Sequence, residues 1–104
     1  MSTPLELETD RRDGAVAFVA VGELDLSNIE AFSEGLADAL AEAEGDRVIV
    51  DLSAVEYLDS GAINALFTYA DGIRVIANPI LMPVLAVSGL TEVVRIEAAA
   101  RPAD

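Results

Sequence analysis

The chain has 104 residues, 53% of them hydrophobic, with no cysteine and a formal net charge of -13. That length suits one compact domain over residues 1–104, able to bury an ordinary core without disulfides or metal. The acidic balance, with all six basic residues scattered arginines, argues against a direct nucleic-acid surface.

Along the chain, Met1 to Glu6 lacks the basic region and long apolar core of an export signal, so a cytoplasmic location is expected. Leu5 to Glu8 alternates with period two as an edge strand does, and Ala15 to Val21 is an apolar run suited to a strand buried on both faces. Asp10 to Gly14 between them is turn chemistry, which predicts an antiparallel hairpin with a loop longer than two residues.

Ser27 followed by Glu30 has the spacing of a capping box and predicts a helix start with Ser27 as the cap. Ile29, Phe32, Leu36, Ala39, Leu40 and Ala43 then fall on one helical face, and Gly45 closes the helix. Val48 to Leu52 reads as a central parallel strand. A second helix is expected from about Ser60 to Ala70, capped by Asp59 or Ser60. Ile73 to Ala77 is a further strand, Pro79 to Val87 a helical segment that Pro83 kinks or delays, and Val93 to Ile96 a last strand. Ala98 to Asp104 reads as a frayed tail. The order is α/β: an opening hairpin, then mostly parallel strands joined by three right-handed crossover helices.

The stretch from Ile73 to Val94 is very apolar but is interrupted by Arg74, Asn78, Pro79, Pro83, Ser88 and Gly89, so it predicts no membrane span. Within it, Ile80 to Val87 is apolar on nearly every side. Ile80, Leu81, Met82 and Leu85 are therefore candidates for an apolar interface, either a homodimer contact or a partner-docking surface.

Functional loops of a parallel sheet sit beyond the carboxyl ends of its strands. Two fit: Gly22 to Ser27 after the second strand, and Ser53 to Gly61 after the third. If those strands are neighbours, Asp25 faces Asp59 and Ser60 beside the amino end of the second helix. Without His, Cys or Lys, Ser60 has no general base except a carboxylate, and there is no Gly-x-Ser-x-Gly elbow or Gly-rich phosphate loop. A non-enzymatic role with no cofactor is expected. A small magnesium enzyme built on Glu23, Asp25 and Asp59 is the contrasting alternative.

At these same loops the chain resembles the STAS family, whose simplest members are bacterial anti-sigma factor antagonists. The matching pieces are Gly22-Glu23-Leu24-Asp25 after an apolar strand, Val50-Asp51-Leu52-Ser53 leading to Tyr57-Leu58-Asp59-Ser60, and Ser88-Gly89-Leu90 before the final strand. The resemblance implies a module that binds an anti-sigma factor, often one with serine kinase activity, and so frees a sigma factor for transcription. It also implies a switch in which phosphorylation at the start of the second helix turns binding off. A phosphate adds about -1.5 to -2 charge, enough to repel a partner from an acidic surface.

The family commonly reads Asp-Ser-Ser/Thr-Gly-Leu-Gly, where this chain reads Asp59-Ser60-Gly61-Ala62-Ile63-Asn64. Without a gap, Gly61 takes the usual acceptor position and Ser60 is the remaining hydroxyl there. The expected partner-binding residues are Glu23, Asp25, Ser27, Asp59, Ser60, Gly61 and Asn64, with Ser60 as the candidate phosphorylation site. STAS-like domains also serve as accessory subunits of transporters and signalling scaffolds, which is the alternative role.

Overall fold

A computed structural model describes residues 4–100. Five strands form one sheet in the order β1-β2-β3-β4-β5: β1 (Glu6–Arg12), β2 (Ala15–Leu24), β3 (Val48–Leu58), β4 (Ile73–Ala77) and β5 (Ile96–Ala98). β1 and β2 are antiparallel, and the remaining neighbours are parallel. Helix α1 (Ile29–Ala43) joins β2 to β3, α2 (Ser60–Thr68) joins β3 to β4, and α3 (Met82–Val87) joins β4 to β5. Each crossover steps one strand in the same direction. Right-handed connections that never reverse direction place every helix on one face of the sheet.

The core lies between that face and the helices. Val16, Phe18 and Ala20 of β2, Val48, Val50 and Leu52 of β3, and Ile73, Val75 and Ala77 of β4 alternate into it. From α1 come Phe32, Leu36 and Ala39, and the rings of Phe18 and Phe32 meet at 5.4 Å between centroids in a tilted pair. Ala62, Ala65 and Leu66 of α2 join the cluster, as do Leu81, Leu85 and Leu90 from the β4–β5 connection.

Several boundaries differ from those the sequence predicts, each for a physical reason. The hairpin loop is two residues, not longer: β1 runs to Arg12, which pairs with Ala15, and Asp13 and Gly14 turn the chain at φ 52° and 87°. Positive φ at both turn residues matches the strand twist, so Asp-Gly suffices. β3 is eleven residues rather than five, because Val21 to Leu24 continues the ladder opposite Ala54 to Leu58. Most of the two expected loops is therefore strand.

α2 ends at Thr68, and Ala70–Gly72 forms a tighter 3₁₀ turn. The segment after β4 begins as a 3₁₀ turn, Pro79–Leu81, with Asn78 Oδ1 accepting from the Ile80 amide at 3.1 Å. α3 then starts late, at Met82, so Pro83 falls in its first turn, where no intrahelical N–H is needed. The last strand is Ile96–Ala98, because Leu90–Glu92 curls into a 3₁₀ turn and the amides of Val93 and Val94 still donate to the Leu90 carbonyl, at 3.1 and 3.0 Å, which delays the extended backbone. The expected tail is consequently strand at Ala98, and the Ala99 amide donates to the Ala77 carbonyl at 2.7 Å. The remainder of that tail, residues 101–104, lies outside the described residues.

Candidate functional site

The candidate residues gather at the carboxyl end of β2–β3. Glu23 pairs with Tyr57 and Leu24 with Leu58, so the two strands finish side by side. The Asp59 amide donates to the Leu24 carbonyl at 3.2 Å, which brings the loop starting at Asp25 and the start of α2 together. Gly22 permits this in a bulged part of β2. Its φ is 116°, and a Cβ there would collide with the Pro4 carbonyl.

Asp25 organises the first loop. Its Oδ1 accepts from the Ser27 amide at 2.9 Å and from the Ser27 hydroxyl at 2.5 Å. Asn28 locks the other side: its Oδ1 accepts from the Asp25 amide at 2.9 Å, and its Nδ2 donates to the Glu23 carbonyl at 2.9 Å. This corrects the expected capping box. Ser27 is exposed and donates to Asp25, while the helix cap position is Asn28, which makes no side-chain cap bond. Asp25 competes for the Ser27 hydroxyl at short range, and Asn28 is the better loop bridge because it both donates and accepts.

Asp59 caps α2, its Oδ1 accepting from the Ala62 amide at 3.1 Å, so of the two expected caps it is the carboxylate that serves. Ser60 is the first helical residue and is exposed, as is Asn64 one turn on. Gly61 lies between the loops: a Cβ placed on it would be 3.3 Å from Asp59 Oδ1 and 3.4 Å from a methyl of Leu26. Leu26 thus lies over Gly61 and yet is 78% exposed. Glu23, Asp25, Ser27, Asp59, Ser60 and Gly61 are brought to one end of the sheet, with Asn64 further along α2. Among the described residues Glu23, Asp25 and Asp59 do not gather as a metal-binding group.

Three residues of this end were not singled out by sequence reasoning. Asn28 was hidden by the stronger capping signal of Ser27 and Glu30, although an Asn at a strand-to-helix turn is itself a signal. Leu26 and the half-exposed Tyr57 are apolar side chains among carboxylates, which only the fold shows to be uncovered.

The apolar segment divides. Leu81 and Leu85 are buried in the chain's own core, which corrects their assignment to an interface, and Met82 is half-buried against it. Ile80 is exposed, as are Val84 and Val87, the last at 88%. The six-residue helix can bury only one stripe, which Leu85 forms together with Leu81, four residues earlier at the end of the preceding 3₁₀ turn.

Asp51, within the Val50-Asp51-Leu52-Ser53 motif, is the one buried charged residue among those described, 6% exposed, on the helix-free face of β3. Arg12 Nη2 lies 2.6 Å from its Oδ2, and the Ser53 amide donates to its Oδ1 at 2.9 Å. Burial alone would raise the pKa of Asp51, but hydrogen bonds from Ser53 and the Arg12 guanidinium outweigh it and hold the carboxyl below its ordinary value. The pair ties the outer strand of the hairpin to the sheet centre.

Comparison with known proteins agrees with this geometry. The fold superposes on an anti-sigma factor antagonist from Mycobacterium paratuberculosis with a TM-score of 0.82 at 23% identity, covering 93% of this chain and 90% of that one. The anti-sigma factor antagonist SpoIIAA in its unphosphorylated form gives a TM-score of 0.68 at 20% identity, over 94% and 90% of the two chains. The Bacillus SpoIIAA in its phosphorylated form gives 0.59 at 20% identity, over 94% and 93%. No curated protein sequence matches. The STAS domain model matches residues 6–99, nearly the whole described chain, and the protein belongs to the STAS domain family.

Proposed function

We propose that this protein is an anti-sigma factor antagonist: it binds an anti-sigma factor through the carboxyl end of β2–β3 and the head of α2, and so frees a sigma factor. It acts by contact rather than catalysis. The observation that carries this is the meeting of Leu26 and Asp59 at Gly61, with Asp25 and Ser60 next to them in the chain. An exposed apolar side chain beside acidic residues suits a partner that presents an arginine or lysine beside apolar surface. Membership of the STAS family, and structural neighbours that are anti-sigma factor antagonists, support the same reading.

Ser60 is the modification point in this proposal. It is exposed in the first turn of α2 next to Asp59, so a phosphate there adds negative charge to an already acidic contact surface. The helix's own amino end tolerates that charge, which leaves the cost on docking rather than on folding.

Titration calorimetry of the chain against the anti-sigma factor of its own organism tests both parts. Asp25→Arg and Asp59→Arg are expected to weaken binding by at least about tenfold while the circular dichroism stays native. Unchanged affinity in both variants overturns the site. Ser60→Asp is expected to weaken binding and Ser60→Ala to retain it. Wild-type affinity in Ser60→Asp, with no phosphate found on Ser60 after incubation with kinase and ATP, overturns the switch.

A further inference from the structure

Six arginines stand against 19 carboxylates in this sequence, and half of those arginines meet in one place. A pocket of about 320 Å³ opens among Arg47, Asp71, Arg74, Val93 and Arg95. It lies at the amino ends of three neighbouring strands, the end of the sheet opposite Asp25 and Asp59. Arg47 precedes Val48, which pairs with Ile73; Arg74 follows Ile73; and the Arg95 carbonyl accepts from the Val75 amide at 2.9 Å.

Ile73 and Val75 point into the helix-covered core, so Arg74 between them in β4 projects toward the helix-free face, and Arg47 and Arg95, the residues just before β3 and β5, line the same pocket. Arg95 Nε is engaged by Glu97 Oε1 at 3.1 Å. Among the described residues, neither Arg47 nor Arg74 has a carboxylate within ion-pair distance, even though Asp71 lines the pocket. Like charges on three arginines lining one hollow repel one another, and neither core packing, since all three are exposed, nor ion pairing, since of the three only Arg95 has a carboxylate partner among the described residues, accounts for their grouping.

A bound anion resolves that repulsion. Guanidinium forks match the oxygens of a phosphate in bidentate fashion, and a dianion matches the two unpaired arginines where a single carboxylate would leave one uncompensated. The volume is at the small end of the range for small-molecule sites, enough for a phosphate and a modest organic group. We infer that this pocket binds the phosphate group of a small molecule. The site is remote from the α2 head, and its existence does not depend on the anti-sigma contact.

The test is a titration of the ¹⁵N-labelled full chain, followed by amide shifts, at constant ionic strength. The probes are inorganic phosphate and adenosine monophosphate, with acetate as the control anion. Saturable shifts are expected at Ile73, Arg74, Arg95 and Ile96, without matching shifts at Asp59 or Ser60. Tighter binding of the nucleotide identifies a phosphorylated metabolite as the source; equal binding identifies free phosphate. Arg74→Ala is expected to weaken binding by about tenfold or more, since it removes a charge-assisted hydrogen-bonding group. Arg74→Lys, which keeps the charge but loses the fork, falls between that variant and wild type. Because Arg47 lies outside any strand, Arg47→Ala supplies a second variant if Arg74→Ala disturbs the fold. Shifts that never saturate, equal shifts with acetate, or unchanged affinity in folded Arg47→Ala and Arg74→Ala overturn the inference.

Discussion

The amide of Asp59 donates to the carbonyl of Leu24, and the side chain of the same residue caps the helix that follows. One residue therefore both closes the β2–β3 ladder and starts α2. Asp59→Ala is expected to cost about 1 kcal/mol through the lost cap, and Asp59→Asn much less, because asparagine also caps well. Urea denaturation of the two variants measures the difference; equal losses would show that the charge rather than the cap carries the effect.

Asn28 and Ser27 are neighbours with unequal consequences. Asn28 bridges the Glu23 carbonyl and the Asp25 amide, both half-buried, so Asn28→Ala is expected to destabilise by about 1–3 kcal/mol. Ser27 is exposed, and Ser27→Ala should change stability by no more than about 0.5 kcal/mol. Thermal melts of both variants rank them, and a larger loss at Ser27 would reinstate the capping box.

The Arg12–Asp51 pair predicts a specific response to acid. Asp51 has a lowered pKa in the fold, so its stabilisation is complete above the ordinary carboxylate value of 3.8 and is lost as pH falls through its lower folded value. Arg12→Ala leaves the buried carboxylate with Ser53 alone. The expected loss at neutral pH is about 1–3 kcal/mol, below the range for a fully buried pair because Arg12 is partly exposed. The gap between wild type and variant should narrow as pH falls below 3.8. Urea titrations at neutral pH and on either side of 3.8 test this, and a gap independent of pH would remove Asp51 from the explanation.

The two sides of the segment around α3 should behave oppositely. Leu85→Ala opens a cavity in the core and is expected to cost about 2–5 kcal/mol. Ile80→Glu and Val87→Glu lie on the exposed side and should leave stability within about 0.5 kcal/mol. If Ile80, Val84 and Val87 form a contact between copies of the chain, those two variants lower the sedimentation coefficient at high concentration. A wild type that sediments as a monomer throughout would show that this patch does not drive self-association.

Much of this was legible in the sequence. Period two in Leu5 to Glu8, the apolar runs of the inner strands and the helical spacing after Ser27 and Ser60 anticipated the order of strands and helices, and the loops beyond the second and third strands do meet at one end of the sheet. What was not legible came from competition between local signals. Ser27 and Glu30 spell a capping box, but the nearer Asp25 carboxylate takes the Ser27 hydroxyl. Ser53 to Tyr57 has the composition of a loop, yet the neighbouring β2 residues hold it extended. The arginine pocket is invisible in the sequence because Arg47, Arg74 and Arg95 are far apart along the chain and meet only through strand register.

The sequential strand order bears on how the chain comes off the ribosome. Every strand after the first pairs with the one made immediately before it, so no segment must wait for a distant partner still to be synthesised. Each closure spans a turn or a single crossover, which keeps its entropic cost small. The sheet can therefore lengthen in step with translation, with the three-residue β5 added last onto a framework that is already largely assembled.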